Sequence, residues 1–201
     1  MAKATTRFEN LLTNKWDNPE NFNIAWEERS EVILQLLINA GISSIVSNFT
    51  EYGCGPNRPF YKIAKKWNND LIVIPADRKK WSDDCILVDL NESGLAGIPS
   101  TDCGILSGVI EYLNDPEEVF SAFAEHHKFI LFSYAIINQS YENGSEANNL
   151  LSALNRRASL GWRNHFSISE IIKVSSNFGY LLSVGAWKDQ ILFAVANKNV
   201  K

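Results

Sequence analysis

Three times in the first half of this chain a short apolar run carries an acid at its end. Ile45 to Tyr52 holds Glu51, Asp70 to Ala76 is followed by Asp77, and Cys85 to Val88 is followed by Asp89. Such brief runs, bounded by turn residues, read as strands, and what lies between them has helical spacing or turn chemistry. Trp26 to Asn39 places Trp26, Val32, Ile33, Leu36 and Leu37 at helical spacing with Gly41 as a stop, and Pro59 to Trp67 is a second helix. Asp102 to Gly108 is a fourth strand. Asp115 as N-cap, Pro116 at the first helical position and Glu117 and Glu118 in the first turn then start a helix that carries Val119, Phe120 and Phe123 inward. Phe129 to Tyr134 is a fifth strand. Ser167 to Asn177 is a helix with Ser167 capping and Glu170 in the capping-box position. Two closing strands, Tyr180 to Trp187 and Gln190 to Ala196, are joined by Lys188-Asp189 alone, and so short a turn forces antiparallel pairing. The expectation is an α/β open sheet, parallel through its first five strands and mixed at one edge, with helices on both faces.

With 201 residues, 45% hydrophobic and 21% charged, the chain suits one well-cored domain. Residues 1–40 read as an N-terminal arm and helix serving as a lid on a main domain of 41–201. Asn138 to Asn149, rich in Asn and Ser, reads as a surface excursion. The net charge of -4 and scattered Lys and Arg offer no basic stripe, which argues against a nucleic-acid partner. Cys54, Cys85 and Cys103 show no C-x-x-C spacing, pointing to buried, reduced thiols in the cytoplasm rather than a disulfide framework or a zinc site. No His-carboxylate cluster suggests a metal. The start, Met1 to Arg7, is polar, and no apolar run reaches the roughly 20 residues that a membrane span needs.

The segment Glu51-Tyr52-Gly53-Cys54-Gly55-Pro56 describes a strand-to-helix turn in which glycines let the backbone bend sharply and approach a ligand. In open α/β sheets ligands bind beyond the carboxyl ends of the strands near the switch point, where Gly53, Asp77, Asp89 and Ser107 would gather. From about Ile45 to the C-terminus these residues resemble the class I S-adenosylmethionine-dependent methyltransferase family. Glu51-Tyr52-Gly53-Cys54-Gly55 looks like its first motif, Val88-Asp89-Leu90-Asn91 like its adenine-side acid, and Leu106-Ser107-Gly108-Val109-Ile110-Glu111-Tyr112-Leu113 like its fourth strand and following turn. The resemblance implies a Rossmann-like sheet and S-adenosylmethionine as cofactor. Gly53 and Gly55 would lie against the methionine part, with Glu51 holding its amino end directly or through water. Asp77 would bind the ribose hydroxyls, Asp89 the adenine amine with the Leu90 amide beside it, and Ser107 would lie under the methionine arm. Pro56-Asn57 departs from the pattern, standing where many relatives carry a further Gly.

A narrower likeness joins Arg156-Arg157, Gly161-Trp162-Arg163-Asn164-His165, Trp187 and Gln190 to the subset of these enzymes that modify bacterial surface polysaccharides or other glycans. It implies O-methylation of a sugar or a glycan-linked small molecule. Methyl transfer is an in-line displacement, so the protein chiefly aligns the acceptor and removes its proton. His165 is the candidate base, or else a neutral His that bonds a loop; His126 and His127 read as surface or packing residues. Tyr112, Tyr134, Arg157, Trp162 and Asn164 are the candidate acceptor-binding residues. Trp16, Trp26, Trp162 and Trp187 suit stacking walls or packing, and Arg29, Arg156, Arg157 and Arg163 suit an anion grip or a solvated surface. Two other readings stay open: a nicotinamide-dependent oxidoreductase on a related sheet, and a cofactor-binding partner or sensor without transfer activity.

Overall fold

Seven strands form one sheet in the order β3-β2-β1-β4-β5-β7-β6 in the computed structural model, which describes residues 18–21, 25–92, 95–136 and 146–200. The expected arm over residues 1–24 lies outside the described residues apart from a turn at Pro19–Asn21, and so do Gly94 and residues 137–145. The strands are β1 (Asn48–Tyr52), β2 (Ile72–Asp77), β3 (Ile86–Leu87), β4 (Thr101–Leu106), β5 (His127–Ala135), β6 (Gly179–Trp187) and β7 (Gln190–Asn197). The pairs β1·β2, β1·β4, β2·β3 and β4·β5 are parallel, whereas β7 runs antiparallel to both β5 and β6. The order reverses at β1 and β4, which is where a crevice opens in such sheets.

The helices are α1 (Ala25–Asn39), α2 (Pro59–Trp67), α3 (Pro116–His126), α4 (Glu146–Ser159) and α5 (Ile168–Ser175). Alternate strand residues feed two separate cores. On one face Phe49, Val73, Ile105 and Leu131 pack with Ile33, Leu36 and Leu37 of α1 and Phe60 and Ile63 of α2. On the other, Tyr52, Ala76, Leu106, Ile130 and Phe132 pack with Val119, Phe120 and Phe123 of α3 and Ile171 and Val174 of α5. Each fully buried side chain of this size contributes roughly 1.5–3 kcal/mol by leaving water. Helix α1 thus packs its inner face into the same core as the strands of the main domain.

The polar character of β1 has a structural reason. Thr50 Oγ1 lies 3.0 Å from Thr101 Oγ1, and Tyr52 Oη lies 2.8 Å from Nε2 of His127, itself 3% exposed. These bonds satisfy groups that would otherwise be costly to bury. The strand starts at Asn48, later than Ile45, because the Ser47 amide donates to Asp102 Oδ2. At α3, Asp115 accepts from the Glu118 amide, and at α5 the Ser167–Glu170 capping box is complete in both directions. Of the stretch Asn138 to Asn149, residues 146–149 begin helix α4, and 138–145 lie outside the described residues. The described residues contain no helix long and apolar enough to cross a membrane.

Candidate functional site

A cavity of about 330 Å³ opens at the carboxyl ends of β1 to β4, within the usual size of a small-molecule site. Glu51, Asp77 and Asp89, from three neighbouring strand ends, all line it, together with Gly53, Leu90 and Ser107. The turn after β1 is built for close approach. Gly53 has φ +62°, and a Cβ there would stand 2.6 Å from Val109 Cγ2, so only glycine fits.

Gly55, with φ +58°, is not on the cavity lining. Its amide donates to Asp77 Oδ2 at 2.9 Å while the Lys79 amide donates to Oδ1 at 3.1 Å, so Gly55 helps to aim the acid. The Trp81 side chain bonds the same carboxylate, which still keeps an acceptor position for a hydroxyl donor. Burial raises the Asp77 pKa, opposed by those two amides. Asp89 is half-buried, and its Oδ1 accepts from the Asn91 amide at 2.9 Å. After Pro56-Asn57 the chain passes through Arg58 at φ +46°, whose guanidinium lies 4.1 Å over the Tyr61 ring and 2.9 Å from Asp84.

Glu51 lines the cavity and also holds the fold. It is 2% exposed, and its two oxygens accept from the Phe60 amide at 2.8 Å and the Tyr61 amide at 3.0 Å, capping the first turn of α2. Desolvation pushes its pKa up to about 7, against the pull of those amides. Each oxygen thus serves the helix terminus and keeps a further lone pair for a second donor.

Across the cavity, Tyr112 and Trp162 form part of the wall, with ring centres 6.5 Å apart in an edge-on arrangement. Four other residues expected at the acceptor do not line it. Arg157 lies behind Trp162, its guanidinium 4.4 Å over the indole and its Nη2 donating to the Ile136 carbonyl. His165 is exposed, stacks on Trp162 at 6.4 Å and lies outside the cavity lining; partial burial together with Arg157 lowers its pKa. Tyr134 is fully buried: its hydroxyl donates to Asn164 Oδ1 at 2.9 Å and accepts from the Phe166 amide at 2.7 Å. Asn164 in turn donates to the carbonyls of Ile110 and Leu113, tying down the turn after β4. The pair is a strut beneath the wall.

Two lining residues went unsingled or undistinguished in the sequence. Arg29 of α1 is 4% exposed; it donates to Gln190 Oε1 and to the Ser107 carbonyl, both at 3.0 Å, and packs against Trp26 and Trp187. Burial lowers its pKa, with Glu111 opposing. Glu111, 1% exposed, accepts from the Ala135 amide at 3.0 Å. An acid inside the otherwise apolar run Ile110-Glu111-Tyr112-Leu113 was the available signal. No group of potential metal ligands occurs among the described residues.

No family model and no curated protein matches the chain. Solved structures do share its fold. An O-methyltransferase family protein from Burkholderia thailandensis superposes with a TM-score of 0.65 at 11% identity, covering 91% of this chain and 60% of that one. A mitomycin 7-O-methyltransferase gives 0.63 at 16% identity, covering 94% and 60%. Human N-acetylserotonin methyltransferase in complex with SAM gives 0.62 at 13% identity, covering 98% and 60%. The chain therefore spans about 60% of the length of each of these structures. Identity this low establishes a common fold, the mostly parallel seven-stranded sheet with its antiparallel terminal hairpin.

Proposed function

We propose that this protein is an S-adenosylmethionine-dependent methyltransferase acting on a small-molecule acceptor. The observation that carries the reading is the convergence of Glu51, Asp77 and Asp89 from adjacent strand ends on one cavity entered past the Gly53 turn. In this reading the Gly53 backbone borders the methionine part, Asp77 takes the ribose hydroxyls, and Asp89 with the Leu90 amide takes the adenine. Ser107 underlies the methionine arm, and Glu51 contributes by fixing the start of α2. Bound S-adenosylmethionine supplies a methyl made electrophilic by its sulfonium. It is consumed as a substrate.

The shared fold with O-methyltransferases, one of them bound to SAM, supports the same reading and favours an oxygen acceptor. A glycan-linked acceptor rests on a thinner base: of the residues in that narrower likeness Gly161, Trp162, Arg163 and Gln190 line the cavity, while Arg156, Arg157, Asn164, His165 and Trp187 do not. Trp26, Tyr112 and Trp162 offer flat apolar walls that suit a sugar face or an aromatic ring alike. The test is incubation of the purified protein with methyl-labelled S-adenosylmethionine and a small-molecule extract, followed by mass spectrometry. The expected product is a metabolite heavier by one methyl, with S-adenosylhomocysteine formed in equal amount. Binding of S-adenosylmethionine without any transfer would favour the partner or sensor reading, and binding of NAD in its place would favour the oxidoreductase.

A further inference from the structure

Three residues on one side of the cavity carry buried polar atoms with no hydrogen-bond partner among the described residues: Arg29 Nε, Ser107 Oγ and Glu111 Oε2. They form one neighbourhood. Arg29 Nη2 donates to the Ser107 carbonyl, and a Cβ on Gly108 would come within 2.7 Å of Arg29 Nη1, so the turn after β4 is shaped around that guanidinium. Glu111 stands on the next turn, Ile110–Tyr112, held by the Ala135 amide on Oε1 and by the Arg163 amide on its own carbonyl. A carboxylate buried to this degree, fixed through one oxygen and unsatisfied through the other, is costly unless a ligand donates to it.

We infer that Glu111 faces the point of methyl transfer and receives the acceptor's proton through Oε2, the role the sequence assigned to His165. The inference rests on the methyltransferase reading. In the step, the acceptor oxygen forms its bond to the methyl carbon as the methyl–sulfur bond breaks, and the electron pair of that bond stays on sulfur. The hydroxyl proton goes to Glu111. The products are a methyl ether, S-adenosylhomocysteine and a neutral Glu111, which returns its proton to water after release. Arg29 from α1 and Arg157 from α4 favour the charged carboxylate, while burial favours the neutral acid and holds the pKa above the ordinary carboxylate range. The other titratable neighbour is Tyr134 on β5, whose own pKa Glu111 helps to raise. Burial thus makes Glu111 a stronger base than a solvated carboxylate.

Sinefungin tests the placement without any acceptor, because a carbon replaces its sulfur and bears an amine where the transferring methyl sits, a position that S-adenosylhomocysteine leaves empty. Calorimetry of both ligands on the wild type at pH 7.5 should show sinefungin bound tighter by about tenfold or more, the worth of a buried charge-assisted bond. Glu111→Gln retains an acceptor for the Ala135 amide, and it should erase that preference while S-adenosylhomocysteine affinity changes less than about threefold. In the wild type the preference should also fade as pH drops through the Glu111 titration. A preference that survives Glu111→Gln, one absent from the wild type, or an equal loss for both ligands would overturn the inference. Failure of S-adenosylhomocysteine to bind the wild type would instead strike the methyltransferase reading itself.

Discussion

Glu51 on β1 and His127, bonded to Tyr52 of the same strand, respond to pH in opposite directions. Glu51 has its pKa raised from 4.5 to about 7, so between those values the folded state holds a proton that the unfolded state has lost, and stability falls as pH rises. His127 has its pKa lowered from 6.5 to about 4, chiefly by burial, so between those values the unfolded state holds the extra proton, and stability rises with pH. The two nearly cancel over their shared window. Glu51→Gln removes one term: relative to wild type, its urea-unfolding free energy should improve by about 3 kcal/mol between pH 4.5 and 7, on top of a constant cost for the lost helix cap. A pH-independent difference would show that Glu51 is ionised throughout. Gly53 gives a second prediction. Gly53→Ala meets Val109 Cγ2 and a strained φ, and should cost about 2 kcal/mol and weaken S-adenosylhomocysteine binding; adding Val109→Ala should restore part of the stability but not the part due to φ. At this scale the sequence disclosed which residues gather better than what each one does. The three acids and Gly53 were legible because strand ends converge by topology. That Glu51 would turn to the helix amides, or Gly55 to Asp77, depends on loop geometry that spacing does not encode.

Helix starts were legible where a chemical device marks them, and obscure where none does. Asp115-Pro116 and the Ser167–Glu170 box announced α3 and α5, and Pro59 announced α2 to the residue. Helix α4 carries no such marker in its Asn-rich first turns, and its apolar residues are too sparse to outweigh the polar composition. The terminal hairpin followed from the length of its turn alone. It also depends on one small residue: a Cβ on Gly179 would lie 1.8 Å from the Ala196 carbonyl oxygen, which is backbone and cannot step aside. Gly179→Ala should therefore lower the melting temperature sharply, by an amount equivalent to about 2–4 kcal/mol, and a change under about 0.5 kcal/mol would contradict the β6–β7 register. The loop of residues 161–167 provides a contrast between scaffold and site. Asn164→Ala strips the Tyr134 hydroxyl of its acceptor and frees two carbonyls, so a loss of about 2 kcal/mol in denaturant titration is expected, with S-adenosylhomocysteine affinity unchanged when the folded fraction is accounted for. A fully stable Asn164→Ala would return this residue to the list of acceptor contacts.

For the molecule as a whole, the two cores lie on either side of the sheet, and among the described residues strand termini, glycine backbone and acids meet at the carboxyl ends of β1 to β4. Sequence alternation supplied that architecture, because buried parallel strands and a forced antiparallel hairpin admit few topologies. It could not supply the far wall of the cavity, which is assembled from α1, the Ile110–Tyr112 turn and the 160–163 loop, segments far apart in the chain. The decisive measurement is calorimetric titration of the wild type and Asp89→Ala with S-adenosylhomocysteine, with NAD as the control ligand. Micromolar one-to-one binding by the wild type, weakened about tenfold or more in Asp89→Ala and matched by no heat from NAD, is the predicted result. An absence of S-adenosylhomocysteine binding by folded wild-type protein, or binding that Asp89→Ala leaves unchanged, would contradict the assignment of this cavity.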